Sequence, residues 1–188
     1  MFINWPDKKP NVEPKMIGAF NDENRKELTR LLKDIDFPFV VELGTYYGMS
    51  TKFFAENAHY IYTVDTFKGS REHNEREDLR PLIPGMFDTF LVNLWDYKDK
   101  VWIYPESTAN FFVNAIHIDT EFVDLVYIDA SHEFVDVYRD VEMSYLKFHN
   151  AKICGDDFKW PSVKAALDLF CDRYDKRVEY VGNFWEIV

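Results

Sequence analysis

From Asn21 onward the chain alternates short apolar runs with amphipathic stretches. Leu28, Leu31, Leu32 and Ile35 recur at helical spacing, with Asn21 or Asp22 in the capping position and Pro38 closing the segment. Apolar runs at 39–43, 60–64, 101–104, 122–128 and 152–154 read as buried strands. Helices are predicted between them at about 49–57, 86–97, 107–116 with Ser107 as cap, 134–148 and 162–174. Two closing strands, 178–181 and 184–188, flank a Gly182-Asn183 turn. Residues 68–84 are polar, charged and broken by proline, which predicts a long loop, and Pro6, Pro10 and Pro14 predict an extended arm over 1–20. Strands alternating with helices predict an α/β fold: a doubly wound, mainly parallel seven-stranded sheet with an antiparallel C-terminal strand. The division expected is an arm and helix over 1–37 and a single ligand-binding domain over 38–188.

Such sheets bind ligands beyond the carboxyl ends of their strands, so those ends are where chemistry is expected. The first ends in Glu42-Leu43-Gly44-Thr45-Tyr46-Tyr47-Gly48-Met49-Ser50, in which Gly44 and Gly48 allow close backbone approach and the loop opens into a helix. An ordinary glycine turn explains the same residues. The motif lacks the close glycine pair of GxGxxG, which counts against a nicotinamide-dependent oxidoreductase. The second strand ends at Asp65, placed to accept hydrogen bonds from a ribose or simply to cap the strand. Glu106 and Ser107 follow the third, where Ser107 serves equally as helix cap or adenine neighbour. Asp129 ends the fourth and Asp156-Asp157 the fifth, so three carboxylates converge. Their repulsion favours a hard divalent cation such as Mg²⁺, although each acid alone could be a cap. His132, just past Asp129, is suited to act as a general base or to a structural role.

Composition narrows the partners. A formal net charge of -11 makes nucleic acid and anionic membrane poor partners. No run is long and apolar enough for a signal peptide or a membrane span, and the two cysteines, Cys154 and Cys171, lack metal-ligand spacing. Cytoplasmic residence is the expectation. Aromatic residues make up 18% of the chain, enough to line a ligand pocket as well as a core. Nothing in the sequence decides between a monomer and a homo-oligomer.

The segment 41–50 resembles the first motif of class I methyltransferases, and is especially similar to the version in catechol O-methyltransferase and in the sugar and small-molecule O-methyltransferases related to macrocin O-methyltransferase. Val64-Asp65-Thr66-Phe67 resembles their second motif, residues 124–132 their post-strand-four segment, and Ile153-Cys154-Gly155-Asp156-Asp157-Phe158 their strand-five end. The resemblance implies a Rossmann-like methyltransferase that binds S-adenosylmethionine. Glu42, Gly44, Thr45, Tyr46, Gly48 and Ser50 would lie around its methionine part. Asp65 would hold the ribose, Glu106 and Ser107 would border the adenine, and Asp129 would close the cofactor site. Asp129, Asp156 and Asp157 would hold the metal, with His132 as the base. The catechol-type relatives place a lysine just past their first metal ligand. Its absence here points to an alkyl hydroxyl of a small molecule or sugar as acceptor. Segments 1–20 and 68–84 would cover the substrate. The competing readings are a nucleotide-binding oxidoreductase and a non-catalytic binding module on the same fold.

Overall fold

The computed structural model describes residues 2–116 and 118–188. Its strands are β1 (Phe39–Leu43), β2 (Tyr60–Val64), β3 (Val101–Tyr104), β4 (Leu125–Ile128), β5 (Lys152–Gly155), β6 (Val178–Val181) and β7 (Phe184–Ile187). They form one seven-stranded sheet in the order β3-β2-β1-β4-β5-β7-β6. β1 to β5 run parallel, and β7 lies antiparallel to both β5 and β6. The strand order reverses between β1 and β4, the place where a doubly wound sheet opens a crevice at its carboxyl edge.

Among the described residues seven α-helices accompany the sheet: α1 (Asp22–Leu32), α2 (Met49–Asn57), α3 (Arg71–Glu75), α4 (Met86–Asn93), α5 (Thr108–Asn114), α6 (Phe134–Lys147) and α7 (Pro161–Tyr174). The alternation of side chains along each strand feeds two cores. Leu125 and Tyr127 of β4 pack with Leu28, Phe54 and Phe90 of α1, α2 and α4. Val126 and Ile128 pack on the other face with Phe111, Val141 and Phe170 of α5, α6 and α7. The arm covers the outer edge of β3. Ile3 bridges Ile103, and the Trp5 indole N–H donates to the Val101 carbonyl at 2.8 Å. Backbone groups that would otherwise template another strand are thereby occupied.

Three segments depart furthest from the sequence reading. Residues 68–84 are not all loop, since they contain α3 and a 3₁₀ turn, Arg80–Leu82. α3 is set by a capping box in which His73 takes the place usually held by Glu or Gln. Ser70 Oγ accepts from the His73 amide at 3.3 Å, and the Ser70 amide donates to His73 Nδ1 at 3.3 Å. α4 stops at Asn93, where the chain tightens into a 3₁₀ turn, Trp95–Tyr97. β4 begins only at Leu125, because Asp119 caps a 3₁₀ turn, Thr120–Phe122, that leaves Phe122 63% exposed.

Candidate active site

The β1–α2 loop is built from the inside outwards. Glu42 is wholly buried and accepts hydrogen bonds from Ser50 Oγ and Thr51 Oγ1, both at 2.6 Å, and from Thr63 Oγ1 at 2.7 Å. Burial pushes its carboxyl up to about 7 despite those donors. Thr45 Oγ1 joins the group through Thr51. Glu42, Thr45 and Ser50, expected around the methionine part of a cofactor, thus spend their side chains on one another beneath the loop, because the even register of β1 turns Glu42 toward α2. Gly48 is also structural, capping α2 against Leu94 and Phe90. Gly44 is different. It is left-handed, with φ 88°, and a Cβ there would lie 2.0 Å from the Asp129 carbonyl, so only glycine lets the loop cross the end of β4.

Asp65 fastens this loop to its own. One carboxylate oxygen accepts from the amides of Thr45 and Tyr46, at 3.0 and 2.9 Å, and the other accepts from Phe67 at 2.7 Å. Tyr46 (φ 50°) and Phe67 (φ 54°) are left-handed residues without glycine's freedom, held there by those bonds. Asp65 still lines the cleft, and a carboxylate has about four acceptor sites, so room for a hydroxyl remains.

A cleft of ≈ 350 Å³ opens at the switch point and brings together Gly44, Tyr46, Asp65, Glu106, Ser107 and Asp129 of the expected cofactor set. Ser107 also caps α5, accepting from the Asn110 amide at 3.3 Å. Arg139 of α6 enters the same cleft, braced by Asp136 at 2.9 Å and Asp140 at 3.1 Å. A second cleft adjoins it, lined by His132, Glu72, Trp160 and Ser162. Ser70, Arg71, Ser131 and Glu133 line both.

The acids at β4 and β5 meet differently from the expectation. The group whose donor atoms lie within 4.8 Å of one another is Asp129, His132 and Asp157. His132 Nε2 lies 2.7 Å from Asp157 Oδ2, Nδ1 lies 3.4 Å from Glu72 Oε2, and the ring stacks on Trp160 at 4.5 Å. Asp156, expected as a metal ligand, is turned inward. Its Oδ2 accepts from Asn24 Nδ2 at 2.6 Å and its Oδ1 from the Asp157 amide at 2.8 Å. The left-handed Asp157 (φ 66°) makes the turn that separates the two adjacent carboxylates. Burial, then the charges of Asp156 and Asp157, drives the Asp129 carboxyl far above the usual carboxylate range. His132 is pulled down by burial, but Asp157 and Glu72 outweigh this and hold it above the usual histidine value.

The sequence model of the methyltransferase domain family matches residues 41–150, more than half of the chain. The chain belongs to that methyltransferase domain family. It is accordingly a class I, S-adenosylmethionine-dependent methyltransferase, and its strand order is that of the fold described above. No curated protein matches its sequence. Among solved structures the methyltransferase is similar to the O-methyltransferase TomG of Streptomyces achromogenes in complex with S-adenosylmethionine. The TM-score is 0.63 and the identity 14%, over 92% of this chain and 80% of that one. It is also similar to an O-methyltransferase of Bacillus cereus in complex with S-adenosylhomocysteine, with a TM-score of 0.58 and 13% identity over 94% and 83%. Precorrin-8w decarboxylase of Methanobacterium thermoautotrophicum gives a TM-score of 0.62 and 14% identity over 97% and 96%. At such identities these likenesses concern the fold. No helix among the described residues is long and apolar enough to cross a membrane.

Sequence reasoning missed Asn24, Glu72, Arg139 and Trp160. Asn24 is polar and so falls outside the apolar stripe, although it lies four residues before Leu28 on the same face, is fully buried and reaches across the sheet edge to Asp156. Charge in 68–84 hid Glu72 among many exposed acids. Trp160 gave no signal beyond the general aromatic richness. The arm covers less of the site than expected, since it follows β3 and α4 and approaches the cleft only where Gly18 meets the Tyr46 ring.

Proposed function

We propose that this methyltransferase transfers the methyl group of S-adenosylmethionine to a hydroxyl of a small molecule or sugar. The cofactor would occupy the cleft bordered by Gly44, Asp65, Ser107 and Asp129, and the acceptor the adjoining cleft. The observation that carries this reading is the place of His132. It lines the second cleft, while its neighbours Ser131 and Glu133 line both, so a base stands where donor and acceptor would meet. The acceptor oxygen displaces the sulfonium, the electron pair of the broken S–C bond stays on sulfur, and the hydroxyl proton passes to His132. Most of the rate would come from holding the two reactants in line, with a positioned base contributing about 10²–10⁴-fold.

The donor set fits a hard divalent cation such as Mg²⁺. Asp129 and Asp157 offer oxygens on one side of a half-buried acidic group whose mutual repulsion helps drive the Asp129 carboxyl upward. They would hold the ion, with Asp156 behind them fixed by Asn24. When bound, the metal would act as a Lewis acid toward the acceptor hydroxyl.

Two measurements test the reading. His132→Ala should lower kcat by at least about a hundredfold with cofactor affinity nearly unchanged. An unchanged kcat, with only a lower Tm, would reduce His132 to a packing residue. Chelation with EDTA should sharply reduce transfer and Mg²⁺ should restore it, whereas full activity after exhaustive chelation would remove the metal from the scheme.

A further inference from the structure

Between Phe67 and Met86 no residue is buried. The segment is bounded by two left-handed glycines, Gly69 (φ 71°) and Gly85 (φ 78°). Its ties to the core are the half-buried Leu82 and Ile83 and the Tyr47 hydroxyl on the Leu82 carbonyl, and a stretch so lightly anchored opens at a free energy below that of global unfolding. The contacts that hold α3 to the rest of the molecule lead to the site. Arg71 Nη1 lies 3.8 Å from Glu133 Oε1, Glu72 Oε2 lies 3.4 Å from His132 Nδ1, and the His73 ring lies 4.8 Å from that of Tyr46. Ser70 and Arg71 border both clefts.

We propose that residues 69–85 form a lid over the two clefts and that closing it delivers Glu72 as a positioning residue for His132. The proposal rests on the reading of His132 as the acceptor-side base. A neutral imidazole takes a proton at one nitrogen only if the other carries the hydrogen, and a carboxylate on that second nitrogen fixes which is which. Asp157 belongs to the floor of the site, next to the carbonyl end of β5, and meets Nε2. Glu72 meets Nδ1 from the lid side. Without an acceptor both nitrogens face carboxylates and both carry hydrogen; when the ring is neutral and an acceptor hydroxyl takes the place of Asp157, Glu72 keeps the hydrogen on Nδ1 and the hydroxyl donates to Nε2. Arg76 holds the other Glu72 oxygen at 2.8 Å, so the carboxylate arrives already oriented. The ring is thus set as a base only when the lid is down, which couples proton removal to exclusion of water.

The test is amide hydrogen exchange on the full chain together with proton NMR of ¹⁵N-histidine-labelled protein, His132→Asn serving to assign the ring. The hydrogen-bonded amides of Asn74 and Arg76 should exchange at least about tenfold faster than those within α2, and saturating S-adenosylhomocysteine should slow them. Glu72→Gln should speed that exchange and abolish the downfield His132 Nδ1 proton signal, while Glu77→Gln on the same segment changes neither. Lid amides as slow as those of α2, or unmoved by S-adenosylhomocysteine, would overturn the lid. A Nδ1 signal that survives in Glu72→Gln would overturn the positioning role. Undiminished turnover in His132→Asn would instead remove the base reading and leave both of these readouts standing, so the two failures are told apart.

Discussion

Glu42 shows how a motif residue can be essential in a way its motif does not announce. The family resemblance implied a contact with the cofactor, but three hydroxyls and the protein interior claim its side chain. Its carboxyl rises from 4.5 to about 7 on folding, so between those values the folded chain keeps a proton that the unfolded chain gives up. The stability this carboxyl contributes is complete below about pH 4.5 and falls as pH rises through about 7. Glu42→Gln cannot ionise, so its stability relative to wild type should improve across that window by up to about 3 kcal/mol. Denaturant midpoints measured from pH 4 to 8 check this, and a pH-independent difference would show that Glu42 titrates normally. Asp65 makes the complementary case. Its alanine variant strands three backbone amides, each hydrogen bond to a charged group being worth about 1.5–3 kcal/mol, so Asp65→Ala should lose thermal stability and at least about tenfold in cofactor affinity together. Calorimetry that finds affinity unchanged in the folded variant would take Asp65 out of the site.

At the scale of elements, the sequence was most legible where periodicity and burial agree. β1, α2, β2 and β3 fall on their predicted residues because each is an apolar or amphipathic run bounded by a turn signal. The site was legible only as a set of strand ends. Which carboxylate of Asp156-Asp157 faces the cleft depends on a left-handed turn and on a partner in α1, 132 residues away in sequence, and no local pattern records either. α1 therefore does more than cover one face of the sheet. Asn24→Ala should leave Asp156 Oδ2 buried without its donor and cost about 1–3 kcal/mol. That amounts to a fall of several degrees in Tm, at about 2–4 °C per kcal/mol for a domain of this size. A thermal melt compared with Asn21→Ala, which removes only the helix cap, separates the effect of docking from that of capping. Equal losses in the two would show that Asn24 stabilises the helix alone.

For the whole molecule, the sheet order places every candidate group at one edge. β1 and β4 supply Gly44 and Asp129 across the switch point, β2 supplies Asp65, and β5 supplies Asp157. The chain as a whole carries a net charge of -11, and the cofactor suits it because S-adenosylmethionine carries a positive sulfonium and no phosphate. A dinucleotide brings two phosphates to an acidic protein, and the β1–α2 loop offers no close glycine pair to receive them. The claim that the switch-point cleft is a methyl-donor site is therefore tested most directly by calorimetric titration of the full chain with S-adenosylmethionine and, in parallel, with NADH. A methyl-donor site requires saturable one-to-one binding of S-adenosylmethionine, weakened in Asp65→Ala, and no binding of NADH. Binding of NADH, or no heat with S-adenosylmethionine from folded protein, would contradict it.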